Sequence, residues 1–231
     1  MHKAKGILFI VSTPIGNLSD LSLRAIEILK IVSMIAAEDT RHSKKLLSHY
    51  KINTPITSYF EHNKFSRIPK LISHMQNGND LALITDAGTP GISDPSYRLV
   101  REAIKNSIDV TSVPGPSAIL AALVSSGLPT DRFIFEGFLP PKKGRNKRLE
   151  AVKDETATLI YYESPRRLGK TLKLLFDNFG DRPAVVCREL TKYHEHIKRG
   201  TLAELSNHFL NIVPKGECVI LIGKDDKNVY F

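Results

Sequence analysis

Runs of consecutive apolar residues alternate with segments of helical periodicity along most of the chain, and this alternation confines it to an α/β architecture. Ile7–Ser12 (ILFIVS) and Leu81–Thr85 (LALIT) read as buried strands. Further strands are predicted at Met34–Ala37, Ile56–Phe60, Asp109–Val113, Phe133–Phe138, Thr158–Tyr162, Ala184–Cys187, His196–Arg199 and Cys218–Ile222. Apolar spacing predicts helices over Ser22–Val32, Ser43–His49, Ser66–Gln76, Tyr97–Asn106, Arg166–Phe179 and Leu202–Leu210, and one beginning at Ala118. Ser117 is the expected N-cap of that last helix. Ser164-Pro165 reads as an N-cap followed by proline at the first helical position. The stop Pro114-Gly115-Pro116 divides the chain into two α/β domains, 1–116 and 117–231, each of ordinary size.

Three loops at predicted strand ends are unusually constrained: Ser12–Asn17, Asp86–Pro95 and Pro114–Ser117. Ligands of open α/β sheets lie beyond the carboxyl ends of the strands. Glycine lets backbone approach such a ligand, and proline holds the loop rigid beforehand. The loops therefore point to a small-molecule cleft. GxxxxGK[ST], GxGxxG after the first strand, HExxH and GxSxG are all missing from the sequence, which disfavours a P-loop nucleotidase, a standard dinucleotide fold, a zinc protease and an α/β-hydrolase. The scattered histidines give no metal site.

The charge is focal. Lys and Arg number 33 against 24 acids. Six of those cations and a single acid fall between Pro140 and Lys153. Lys142, Lys143, Arg145, Lys147 and Arg148 read as a mobile phosphate-binding arm, with a solvated linker as the alternative. The longest apolar run, Ala118–Val124, is too short to span a bilayer, so no membrane partner is expected. Only Cys187 and Cys218 occur, without CxxC, which argues against a disulfide framework and for a cytoplasmic location.

At the loops the sequence resembles the tetrapyrrole-methylase superfamily. The matching segments are VSTPIGNLSDLSLRA (Val11–Ala25), AEDTRHSKKLL (Ala37–Leu47), DAGTPGISDPS (Asp86–Ser96), VPGPSA (Val113–Ala118), FEGFLPPKKGRNKR (Phe135–Arg148) and YYESPRR (Tyr161–Arg167). Within the superfamily it is most similar to the branch acting on the ribose 2′-hydroxyl of a cytidine in the decoding region of 16S rRNA. The resemblance implies two α/β domains with a cofactor cleft between them, S-adenosylmethionine as methyl donor, a homodimer, and 16S rRNA or the assembled small ribosomal subunit as partner through the basic arm. Carried over by motif, the donor site comprises Ile15, Gly88, Thr89, Ile92, Ser117, Ala118, Glu163 and Leu190.

Methyl transfer is an in-line displacement, so alignment of the reacting atoms supplies much of the rate. A ribose hydroxyl is a weak acid, and a carboxylate or adjacent cation is the expected helper. Glu38, Asp39 and Arg41, at a strand's carboxyl end, are the candidates. The alternative is that they form a helix cap and an ion pair, and that Asp86 and Asp94 brace a turn. Other activities open to the fold are methylation of tetrapyrrole carbons or of a modified histidine. A non-catalytic RNA-binding assembly factor is the reading from a different class.

Overall fold

The computed structural model describes residues 4–94, 96–224 and 229. Pro95 of the second loop lies outside the described residues. The chain separates into two compact units, Met1–Ser117 and Ala118–Phe231.

Unit 1 contains, in chain order, β1 (Leu8–Val11), α1 (Leu23–Ile31), β2 (Met34–Ala37), α2 (Thr40–His49), β3 (Ile56–Ser58), α3 (Lys64–Gln76), β4 (Leu81–Ile84), α4 (Ser96–Lys105) and β5 (Val110–Val113). The strands form one parallel sheet in the order β3-β2-β4-β1-β5. Successive side chains leave a strand on opposite faces. Accordingly Val11, Ile35, Ala37, Ala82, Ile84 and Val113 pack with α1 and α2 on one face, whereas Leu8, Ala36, Leu81 and Leu83 pack with α3 and α4 on the other. Both faces are buried, which explains why LALIT shows no polar alternation. Every strand points the same way, so all strand-to-helix loops emerge at one edge.

Unit 2 begins with α5 (Ala118–Ser126) and continues with β6 (Phe133–Phe138), α6 (Arg145–Ala151), β7 (Thr158–Glu163), α7 (Leu168–Phe179), β8 (Pro183–Arg188), β9 (His196–Thr201), α8 (Leu202–Asn211) and β10 (Cys218–Ile222). Its sheet has the order β6-β7-β10-β8-β9, parallel only between β6 and β7. Leu159, Tyr161, Val186 and Ile220 pack with α7 and α8 on one face. α5 lies against β8 and β10. A capping box between Thr201 and Glu204 starts α8.

Besides shifts of one or two residues at element ends, such as β3 ending at Ser58 and α3 beginning at Lys64, three details differ from expectation. α2 begins at Thr40, not Ser43, because the Asp39 carboxylate accepts from the Arg41 amide at 2.8 Å and caps the helix earlier. Ser164-Pro165 does not open α7. The Ser164 amide donates to Glu163, the Arg167 amide closes a turn on the Ser164 carbonyl, and the helix starts at Leu168. The basic stretch is in part helix rather than a mobile arm: Arg145–Ala151 forms α6, anchored by the fully buried Leu149.

Candidate functional site

The three Gly/Pro-rich loops leave the carboxyl ends of β1, β4 and β5, adjacent strands in the sheet, and are hydrogen-bonded to one another. Thr13 and Gly88 form an isolated antiparallel bridge, with N–H···O distances of 2.9 and 3.0 Å. The Thr13 hydroxyl donates to the Thr85 carbonyl at 3.0 Å. The Ser12 and Thr89 hydroxyls share a hydrogen bond of 2.9 Å, and Thr89 donates to the Pro116 carbonyl at 3.1 Å. Two glycines permit this approach. Gly88 has φ +83°, and a Cβ there would lie 3.4 Å from Ile15 Cγ2; one on Gly115 would lie 2.9 Å from Ser12 Cβ. Ile15 is buried, and Ile92 is 41% exposed. This edge thus combines rigid backbone groups, a threonine hydroxyl and apolar surface. Ser12 and Thr13, which brace it, were not singled out from sequence, and only their place beside Pro14 hinted at the role.

Beside these loops, at the ends of β2 and β4, stands an acidic edge. The Asp86 carboxylate accepts from the Asp39 amide at 3.1 Å, and Glu38 accepts from the Thr85 hydroxyl at 2.7 Å. Asp39 also pairs with Arg41 at 3.0 Å. The Arg41 side chain and amide hold the Asp39 carboxyl down to about 2. Burial pushes Asp86 the other way, above its ordinary value, and the neighbouring Glu38 and Asp39 add to that. Asp94 is likewise raised by burial, although the Ser96 and Gly91 amides bond to it. Asp39 and Arg41 therefore do form a cap and an ion pair.

Ser117 closes unit 1 and Ala118 begins α5. In unit 2, Glu163 is 2% exposed at the end of β7. Its carboxylate accepts from the Ser164 amide at 2.7 Å, Arg167 at 3.0 Å and the Thr171 hydroxyl at 2.6 Å. Those bonds tie β7 to the start of α7. Glu163→Ala is expected to lower stability by about 1–3 kcal/mol, read from denaturant midpoints at unchanged slope, because the hydroxyl and amide lose their acceptor. An unshifted midpoint would show that the carboxylate braces nothing. Leu190 is buried just past β8. Cys187 and Cys218 are buried in β8 and β10, and burial raises their thiols to about 12 and about 11.

Of the basic stretch, Arg148 pairs with Glu136 and Arg145 donates to the Pro141 carbonyl at 2.8 Å. Lys142, Lys143 and Lys147 are exposed. Among the described residues no His, Cys, Asp and Glu group is placed to hold a metal ion, and no helix is long and apolar enough to cross a membrane.

Residues 8–206 match the family described as Tetrapyrrole (Corrin/Porphyrin) Methylases. The chain belongs to this family. Relatives named ribosomal RNA small subunit methyltransferase I are 52% identical in Mesorhizobium japonicum, over 94% of this chain and 74% of the relative; 50% in Synechocystis, over 94% and 79%; and 44% in Thermotoga maritima, over 95% and 100%. Among solved structures of tetrapyrrole methylases and other proteins, a cobalt precorrin-4 methyltransferase superposes with TM-score 0.68 at 19% identity, covering 94% of each chain. A diphthine synthase gives 0.73 at 13%, covering 94% of this chain and 90% of its own. At such identities these two structures establish the shared fold alone.

Proposed function

We propose that the protein is a methyltransferase that uses S-adenosylmethionine to methylate the ribose 2′-hydroxyl of a cytidine in the decoding region of 16S rRNA, working as a cytoplasmic homodimer. The observation that carries this reading is 44–52% identity, over at least 94% of the chain, to proteins named ribosomal RNA small subunit methyltransferase I. The cross-braced loops fit the donor. Backbone at Gly88, the Thr89 hydroxyl and the apolar Ile15 and Ile92 suit a ligand with an adenine and an amino-acid end, and unit 1 has no thiol to compete for a methyl group. Ser117, Ala118, Glu163 and Leu190 complete the proposed donor set by resemblance.

When bound, S-adenosylmethionine supplies an electrophilic methyl group on a sulfonium. The chain must orient the ribose and remove its proton. The acidic edge suits the second task. Asp39, held low by Arg41, is a weak proton acceptor and instead positions Asp86 through its amide; Asp86, raised by burial, is better matched to take the proton, with Glu38 beside it. Arg41 is 90% exposed at its side chain and available to the RNA. Mapping ribose methylation in small-subunit rRNA from cells with and without the gene tests the proposal. Loss of one cytidine 2′-O-methyl group supports it, and an unchanged map overturns it.

RNA affinity should depend on the three exposed lysines rather than on all five cations of the stretch, because Arg145 and Arg148 have partners within unit 2. Each phosphate contact to single-stranded RNA contributes about 0.7 to the slope of log K against log salt. Joint replacement of Lys142, Lys143 and Lys147 by Ala is expected to flatten the slope by about 2, with calorimetric donor affinity unchanged. An unaltered slope would make the segment a solvated connection.

A further inference from the structure

Phe65 and Tyr97 stand in the open, 68% and 50% exposed. Phe65 lies in the first turn of α3 and Tyr97 in the first turn of α4. These helices pack together on one face of the sheet. Each follows a strand of the parallel sheet, so both first turns belong to the carboxyl edge that carries the Gly/Pro-rich loops. The Asp94 carboxylate ties α4 to the second loop, accepting from the Gly91 and Ser96 amides, each at 2.8 Å.

Arg98 joins the two rings. Its guanidinium carbon lies 5.4 Å from the Phe65 centroid and 5.2 Å from that of Tyr97, and its Nε is buried without a hydrogen-bond partner. Lys64 Nζ lies 5.3 Å from the Phe65 centroid. Cations against the rings hold them in place while leaving much of their surface in water. Unpaired RNA bases are bound by stacking on aromatic rings and on guanidinium planes. The exposed Lys70 and Arg101, on the same two helices, offer charge to flanking phosphates.

We infer that Phe65, Tyr97 and Arg98 form a stacking platform for an unpaired base of the RNA substrate, at the sheet edge where the donor loops lie. The platform rests on the rRNA reading above and adds to it the part of unit 1 that receives the single strand. Stacking tolerates any base, so the platform sets where a nucleotide rests and leaves its identity to other contacts.

The test compares a short oligocytidylate with an abasic oligoribonucleotide of equal length, which keeps every phosphate. Phe65→Ala is expected to weaken oligocytidylate binding about 5- to 150-fold and to leave abasic binding unchanged. Tyr97→Ala should act in the same direction, Phe65→Trp should restore affinity, and calorimetric S-adenosylmethionine affinity should hold in all three. Equal losses on both oligonucleotides, or no loss on either, would overturn the platform while leaving the RNA reading standing. A changed oligomeric state with unchanged RNA affinity would also overturn it, by assigning the rings to a protein contact. Unmodified protein that binds neither oligonucleotide would overturn the RNA reading and the platform together.

Discussion

Asp86→Asn is expected to lower turnover about 10²–10⁴-fold with donor affinity retained, the signature of a group that acts when the ribose proton departs. The substitution keeps shape and removes the acceptor. The ionised form is the one that accepts, so turnover of the unmodified protein should rise as pH climbs through the raised Asp86 value, and this limb should be absent from the variant. Stability should run the opposite way. A carboxyl raised in the folded state favours folding while protonated, so its contribution is present below the ordinary carboxylate value and is lost as pH rises through the folded one. Asp39→Asn provides the contrast. It removes the ion pair with Arg41 but leaves an amide oxygen able to cap α2, so the unfolding midpoint should fall only slightly, with the smaller effect on turnover. If Asp39→Asn proves the more damaging to turnover, the proton leaves through Asp39 and the assignment within the acidic edge is reversed.

Gly88→Val should reduce S-adenosylmethionine affinity by about 5- to 150-fold, since the left-handed backbone alone carries a strain of about 1–3 kcal/mol for a residue with a side chain. At φ +83° a β-branched residue is poorly accommodated, and its Cβ would already touch Ile15 before either methyl group is placed. Gly88 is bonded through both its amide and its carbonyl to Thr13, so a backbone shift that relieves the strain pulls on the first loop as well. The β-sheet core lies behind the loop, so circular dichroism should stay native while calorimetry loses the donor signal. A folded Gly88→Val protein with unchanged donor affinity would remove this loop from the site.

Much of the architecture was legible in the sequence, for a reason specific to each part. β1 and β4 announce themselves as apolar runs because a parallel sheet covered on both faces has no solvent side to write as polar residues. The loops announce themselves because close backbone approach demands Gly and a rigid loop favours Pro. α6 was not legible. It is short and anchored by Leu149 alone, so it carries no periodicity to detect. The start of α7 was misread because the signal Ser-Pro was present, while the deciding group, the Glu163 carboxylate, competes for the Ser164 amide. At the acidic edge, residue types pointed to Glu38, Asp39 and Arg41, but the contact between Asp39 and Asp86 joins segments 47 residues apart. Local pattern has no access to such a pairing, nor to the burial that separates the two carboxyls in acidity.

The strand order of unit 1 also affects the nascent chain. β1 is held between β4 and β5, yet both partners are translated long after it. At roughly 5–20 residues per second, Leu8–Val11 waits about 4–15 seconds for Leu81–Ile84 alone to be translated. During that interval LFIV is an unpaired apolar strand with two open edges, and no neighbouring hairpin can cover it, since a parallel partner always lies across a crossover. The same early strand that organises the finished sheet is therefore the segment most exposed to aggregation during synthesis, and the one for which shielding by a chaperone has the most to offer.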